Sequence, residues 1–188
     1  MLDAIARLPG YSGQNADAQK AYTQAILADF EGDSETWLEI PRDQWPKDWF
    51  AADGTPLYKR PVVRLLRNLY GHPLAGLWWE KHFHKHLLSL GFQLMQGWEC
   101  LYVLPKYKAF VSVYVEDVKW ASPKQHAAKI WSLIQSVIKL APPEALHNST
   151  YLGCQQVEYA PTAEDLDFQN DLYLQLFSDP SQQFKRAG

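Results

Sequence analysis

The chain has 188 residues, of which 47% are hydrophobic and 21% are charged, and its formal net charge is −3. This composition suits one domain with a packed core, and it excludes a disordered tail, a collagen-like repeat and a strongly basic protein that coats nucleic acid. No apolar run is long enough for a transmembrane helix, and the first residues lack the pattern of a secretory signal. With only two cysteines, Cys100 and Cys154, we expect a reducing, intracellular setting and no membrane partner.

Charge is distributed unevenly along the chain. Residues 29–53 hold eight acidic and two basic residues, whereas residues 54–79 hold no acidic residue. Residues 118–143 form a second stretch without acids, and they carry four lysines. Local basic stripes of this kind can bind a polyanion, or they can be the solvated faces of ordinary elements. The charge pattern alone leaves both interpretations open.

The first half of the chain predicts two helices separated by irregular structure. An apolar residue at every third position from Leu2 to Leu8 indicates a short helix that Pro9-Gly10 ends. Residues 29–61, rich in Asp, Pro and Trp, predict an irregular excursion, and residues 61–70 can begin as a strand. A second helix is predicted over 73–91, between a proline that suits the first turn and a glycine that suits the end.

The second half predicts hairpins and further helices. Short apolar and β-branched runs are typical of strands, and Ser122-Pro123 is a suitable start for a helix with a 3.6-residue apolar period. The predicted elements are strands at 100–104, 109–115 and 118–121, a helix from 122 to 140, a strand at 151–159 and a helix from 162 to 177. This order predicts the α+β class, with antiparallel hairpins in place of a regular βαβ series.

Two adjacent acids, Glu116 and Asp117, stand at the tip of the predicted hairpin. Two neighbouring carboxylates beside apolar strands cost free energy unless something neutralises them. A hard cation such as Mg²⁺ would do so, because it prefers carboxylate oxygens. A solvated turn that happens to carry two acids explains the same residues, so the motif by itself decides nothing.

A series of short motifs runs through the chain in a fixed order. They are Asp17 followed by Tyr22, Leu69-Tyr70-Gly71 ahead of Trp78-Trp79, Leu90-Gly91-Phe92, Tyr114-Val115-Glu116-Asp117 and Tyr151-Leu152-Gly153. In this order and spacing, the segments resemble the reverse transcriptase domain of copia-type retrotransposon polyproteins. The resemblance covers about residues 11–159.

The resemblance implies a polymerase palm-like antiparallel sheet with packed helices over residues 1–160, followed by a C-terminal helix or tail over 161–188. It implies an RNA-directed DNA polymerase in which Asp17, Glu116 and Asp117 are catalytic and bind two Mg²⁺ ions. Such an enzyme uses deoxynucleoside triphosphates and an RNA or DNA template with its primer. The two ions stabilise the attacking and leaving oxygens during nucleotidyl transfer.

The same resemblance assigns binding residues around that centre. Tyr22 matches the aromatic residue under the nucleotide sugar, and Tyr114 matches the hairpin tyrosine near the primer terminus. Leu74 stands where the family has a glutamine that helps to hold the template and the nucleotide. The expected contacts to nucleic acid come from the first basic stripe, which consists of Lys59, Arg60, Arg64 and Arg67.

Three departures from the family pattern predict weakened or lost polymerase activity. Glu116 replaces an aspartate, and its extra methylene disturbs an ion that needs near-ideal octahedral geometry at about 2.0–2.1 Å. Leu74 replaces the glutamine, and the arginine that follows it in the family is missing. The fingers segment is also expected to be incomplete, because the chain begins just before the first catalytic strand.

Two other functions remain open at this stage. One is a catalytically dead remnant that only binds nucleic acid through its basic stripes. The other is an unrelated metal-dependent phosphohydrolase that uses the same acids. Oligomeric state is left open by the sequence.

Three further features have ordinary structural interpretations. His82, His84 and His86 alternate on a predicted helix, and without identifiable further ligands we expect a solvated helix face rather than a zinc site. The tryptophans at helical spacing are expected to pack in the core. Cys154 is expected to be buried.

Overall fold

The computed structural model describes residues 1–30, 35–146, 149–157 and 159–177. The α-helices within these ranges are α1 (Leu2–Ala6), α2 (Ala21–Gln24), α3 (Ala75–Ser89), α4 (Ala127–Gln135) and α5 (Ala163–Phe177). The strands are β1 (Tyr11–Asp17), β2 (Trp37–Glu39), β3 (Val62–Arg64), β4 (Gln93–Leu94), β5 (Leu101–Leu104), β6 (Ala109–Tyr114), β7 (Asp117–Pro123), β8 (Glu144–Ala145), β9 (Thr150–Tyr151) and β10 (Cys154–Gln155). The prediction of the α+β class is confirmed.

A six-stranded antiparallel sheet organises the fold, in the order β4-β5-β6-β7-β1-β8. Four of its strands and the two long core helices follow one another along the chain in the order β1-α3-β6-β7-α4-β8, and β4 and β5 lie between α3 and β6. This is a split βαββαβ arrangement, which places β1 between the hairpin strand β7 and the last strand β8. The end of the first strand is therefore brought next to the tip of the central hairpin.

The main core lies between the sheet and the helices α3 and α4. Strand residues alternate between the two faces of a sheet, and β6 buries Ala109, Val111 and Val113 against the helices. Trp79 of α3 and Ile134 of α4 belong to the same cluster of buried side chains. The prediction that the helical tryptophans pack in the core holds for Trp78 and Trp79, which are both buried.

The opposite face of the sheet is covered only in part. Leu2 of α1 packs there against Leu101 and Ala121 in a second, smaller cluster. The β9–β10 hairpin also lies on this face, since Thr150 accepts a hydrogen bond from the Asn15 side chain of β1 at 3.4 Å. Towards the hairpin tip this face carries polar and charged residues.

Two predicted elements differ from those in the structure, and each difference has a physical reason. The helix predicted to reach Leu140 ends at Gln135. The chain leaves the helical conformation there, because Leu140 forms a β-bridge with Ala18, the residue after β1. The strand predicted over 151–159 is a tight hairpin. Leu152 and Gly153 both have positive φ there, which is the backbone of a two-residue hairpin turn.

The described part of the excursion predicted over residues 29–61 is largely irregular, as the composition predicted. It contains β2, which pairs with β3 just after the excursion, and two turns of 3₁₀-helix at Arg42–Gln44 and Lys47–Trp49. The predicted helix before Gly91 is confirmed, and Gly91 adopts a φ of +88° directly after it. No helix in the described part of the chain combines the length and hydrophobicity needed to cross a bilayer.

Candidate active site at the hairpin tip

Strand pairing brings Asp17 and Asp117 together. The register of β1 and β7 runs from Tyr11 opposite Pro123 to Asp17 opposite Asp117. Directly opposed residues of an antiparallel pair point to the same face, with Cβ atoms about 4.5–5.5 Å apart. Just beyond this pair, a further backbone hydrogen bond joins the two segments: the Ala18 N–H donates to the Glu116 carbonyl at 2.7 Å.

The electrostatics of this pair are unfavourable without a cation. Burial raises the pKa of Asp117, and the negative charges of Asp17 and Glu116 raise it further. Lys119, two residues along the same strand, acts in the opposite direction. The net result is an elevated pKa, so the carboxylates at this edge of the sheet are not fully compensated by the protein.

Glu116 also acts on a second neighbour. The pKa of Tyr70 is raised by burial and then by the negative charge of Glu116. The Tyr70 ring in turn packs on Tyr22, with 4.5 Å between the ring centroids. The charge of Glu116 thus acts both on Asp117 and on Tyr70.

The hairpin turn itself is strained. Val115 has a φ of +51°, a conformation that β-branched residues rarely adopt. The turn is held from behind by α3, because the Trp79 indole N–H donates to the Val115 carbonyl at 2.5 Å. Tyr114 at the end of β6 is left 60% exposed. Strain that the surroundings enforce is typical of functional sites.

Asp17 and Asp117 are the two carboxylates that strand pairing places opposite each other. Asp17 and Asp117 offer opposed carboxylates whose mutual repulsion a cation would relieve. Across the ranges that the structure describes, no group of three or more His, Cys, Asp or Glu side chains is arranged to hold a metal ion. The three-carboxylate set needed for two ions is therefore not assembled in this conformation.

Lys119 is a part of the site that the sequence did not single out. It was expected in a basic stripe, yet its side chain is only 4% exposed and its ammonium lies 3.1 Å from the Asp3 carboxylate. The ammonium also lies 3.8 Å from the centre of the Tyr151 ring. Lys119 and Asp117 are two residues apart in β7, so strand alternation places them on the same face. This two-residue spacing is the feature of the sequence that indicates Lys119 as a neighbour of the site.

The residues predicted to bind the nucleotide and the nucleic acid are placed separately. Tyr22 is half-buried against Tyr70. Leu74 immediately precedes the first residue of α3 and is 45% exposed. The basic stripe is divided among different environments. Arg60 pairs with Glu39, and Arg64 pairs with Glu35. Lys59 lines a cavity within the excursion, whereas Arg67 donates to backbone carbonyls of α2.

The three histidines of α3 have different neighbours. His82 and His86 are adjacent, with 4.4 Å between ring centroids, while the His84 Nδ1 lies 3.2 Å from the Tyr102 hydroxyl. Burial lowers the pKa of His82 to about 4. His82 is buried, so the prediction of a solvated histidine face was wrong for this residue. Cys154 is exposed, and the expectation of a buried thiol was also wrong, because Cys154 follows the tight turn of a surface hairpin.

Comparison with known proteins adds no relative. No protein-family model matches the chain, and neither a curated protein nor a solved structure matches it significantly.

Proposed function

We propose that this chain is a palm-like domain of a copia-type reverse transcriptase whose catalysis is weakened or lost. The observation that carries the proposal is the pairing of Asp17, at the end of β1, with Asp117, at the tip of the β6–β7 hairpin. The split βαββαβ order of the sheet supports it, since that order brings the ends of these elements to one edge. The motif series supports it independently.

In this proposal Asp17 and Asp117 hold a divalent cation, Mg²⁺ by the resemblance. A bound metal ion would stabilise negative charge on the reacting phosphate and oxygen atoms. The chain itself fixes the positions of the carboxylates through the β1–β7 register, and Trp79 holds the turn that presents Asp117. Tyr22 offers a ring face for the nucleotide sugar, and Tyr70 holds that ring in place.

The weakness of catalysis follows from Glu116. The family's two-ion chemistry needs an aspartate as the third carboxylate beside Asp17 and Asp117, whereas this chain has Glu116. The extra methylene displaces the carboxylate oxygens, and Mg²⁺ requires near-ideal octahedral geometry. Glu116→Asp would restore the shorter side chain at this position.

Primer extension tests the proposal. Purified protein is incubated with a primer–template, deoxynucleoside triphosphates and either Mg²⁺ or Mn²⁺, and the Glu116→Asp variant is compared with the parent chain. We expect little or no extension by the parent, a gain for Glu116→Asp, and none for the matched control Glu116→Asp with Asp17→Asn. If Glu116→Asp keeps its fold and still extends no primer, the assignment of a polymerase centre is wrong.

A catalytically dead remnant that only binds nucleic acid is the second candidate. It is favoured by the finding that, among the described residues, no three ligating side chains are arranged to hold a metal ion. This candidate predicts salt-dependent binding of a labelled primer–template without turnover. Anisotropy titrations at two salt concentrations measure it. Binding that is unaffected by salt would contradict it.

A further inference from the structure

A cavity of about 240 Å³ lies between α3, β5 and the end of β6, and we call it the aromatic cavity. Four of its nine described lining residues are aromatic, one is an acid and none is a base. The lining residues are Gly76, Trp79, Glu80, Phe83, Cys100, Tyr102, Val113, Tyr114 and Val115. Apolar walls with a few polar groups are typical of a site that binds a small ligand.

Two of the aromatic walls are fixed by contacts within the protein. The Trp79 ring lies edge-on to Phe83, with 5.5 Å between the ring centroids, and its indole N–H donates to the Val115 carbonyl. The Tyr102 hydroxyl lies 3.2 Å from the His84 Nδ1. The polar atoms of Trp79 and Tyr102 already bond within the protein, so these rings offer a ligand chiefly their carbon and π-electron surface.

Glu80 gives the aromatic cavity a negative charge that the protein does not compensate. Within the residues that the structure describes, Glu80 forms no ion pair, whereas Glu39 and Asp3, which line two other cavities, each pair with a basic residue. Burial raises the pKa of Cys100 and of Tyr102, and the Glu80 charge raises both further. The thiol and the phenol are therefore neutral near pH 7, and Glu80 carries the charge of the cavity.

A second cavity of about 230 Å³ adjoins the aromatic cavity and shares Glu80, Cys100 and Tyr102 with it. Lys81 and Glu99 line only this second cavity, and their charges are opposite in sign. Since these two charges offset each other, Glu80 remains the excess charge at the place where the two cavities meet. The second cavity leaves room for the rest of a ligand whose cationic end lies in the first.

A compact cation that carries methyl groups matches this combination of residues. Aromatic rings attract a cation through their negative π faces, and the attraction is larger where water is excluded. Methyl groups in place of N–H groups suit apolar walls, whereas the strongly hydrated ammonium group of an unmodified lysine does not.

We infer that the aromatic cavity binds a methylated ammonium group, either that of a free quaternary amine or that of a methylated lysine side chain. The inference does not rest on the proposed function, because the cavity contains neither Asp17 nor Asp117 and binding needs neither a metal ion nor a reaction. It assigns to Glu80 a role that no sequence motif indicates.

Calorimetric titration with choline and with 3,3-dimethylbutan-1-ol, its uncharged isostere, tests the inference. We expect choline to bind about tenfold more tightly or better, because the isostere has the same shape but no charge for the rings and Glu80 to attract. Equal affinities would show an apolar pocket without preference for a cation and would overturn the inference. Absence of choline binding at millimolar concentrations would overturn it as well.

Variants of two lining residues locate the bound cation. Glu80→Gln should lower the affinity for choline about fivefold or more, since it removes the charge of the cavity. Its matched control is Glu164→Gln, at an exposed acid of α5 outside the cavity, which should bind like the parent chain. Tyr114→Leu should lower the affinity about threefold or more, whereas Tyr114→Phe keeps a ring and should bind nearly as the parent does. Equal binding by the parent, Glu80→Gln and Tyr114→Leu chains of matched circular dichroism would contradict this location.

Two peptides that differ only in the methylation of one lysine identify the source of the cation. Tighter binding of the trimethyl-lysine peptide than of choline indicates a methylated protein as the ligand, and the reverse order indicates a free quaternary amine. In both cases Glu80→Gln should weaken the binding. An unmodified peptide that binds more tightly than both choline and the trimethyl-lysine peptide would refute selection of a methylated ammonium group.

Discussion

The two faces of the central sheet are built from the same strands, and towards the hairpin tip they differ in polarity and charge. Towards the helices, β6 and β7 present Val111, Val113, Val118 and Trp120, all of which are buried in one core. Towards the other face they present Tyr114, Asp117 and Lys119, which are polar or charged. Because side chains alternate along a strand, a shift of one residue would exchange the two sets. The apolar face thus fixes the register that sets Asp17 opposite Asp117.

The difference between the faces separates stability from function. The apolar face gains free energy through burial, at about 25 cal/mol per Å² of apolar surface. The charged face brings like charges together, and burial and neighbouring acids raise the pKa of Asp117 there. Substitutions on the two faces should therefore affect different measurements.

The largest expected effect is on the apolar face. Trp120 is 1% exposed and stacks on Trp131 with 5.3 Å between the ring centroids. Trp120→Ala should lower the free energy of unfolding by about 3–5 kcal/mol, because it leaves a large cavity in the core. Urea denaturation followed by circular dichroism measures this loss. A change under about 1 kcal/mol would show that this face does not carry the stability.

A smaller effect of opposite sign is expected for Asp117→Asn. A carboxyl whose pKa is raised on folding binds its proton more tightly in the folded state, so its charged form destabilises the fold as pH rises through the folded pKa. Asp117→Asn removes that charge and should raise the thermal midpoint at pH 7. The gain should shrink as pH falls below the folded pKa of Asp117. A lower midpoint at pH 7 would contradict an unfavourable charge at this position.

The smallest effect on stability is expected for Lys119→Met. The partner left behind is Asp3, whose side chain is 45% exposed and stays solvated, so the free energy of unfolding should change by less than about 1 kcal/mol. The pKa of Asp117 should rise further, because Lys119 lowers it in the parent chain. An NMR titration of the Asp117 carboxyl measures that rise. An unchanged pKa would show that Lys119 does not act on the site.

The sequence predicted the elements of the apolar face well, because burial imposes a period that can be read directly. The strands of the β6–β7 hairpin and the helix ended by Gly91 were predicted within a few residues. The early end of α4 was not predictable, since it depends on pairing between Leu140 and Ala18, which are far apart in the chain.

The charged face was predicted only in part. Asp17, Glu116 and Asp117 were identified by the motif series, but the effect of the Glu116 charge on the pKa of Tyr70 depends on tertiary packing. The basic stripe 59–67 appeared uniform in the sequence. In the structure, Arg60 and Arg64 pair with acids across the β2–β3 sheet, whereas Arg67 donates to backbone carbonyls of α2. Charge along a chain does not indicate which cations remain uncompensated after folding.

Binding of Mn²⁺ to the folded chain tests most directly the claim that Asp17 and Asp117 together form a cation site. Titration followed by electron paramagnetic resonance counts the bound ions in the parent chain, in Asp17→Asn and in the control Asp53→Asn, at an acid in the excursion. We expect one ion bound by the parent and by Asp53→Asn, and a large loss of affinity in Asp17→Asn. Equal binding by the parent and Asp17→Asn would contradict it.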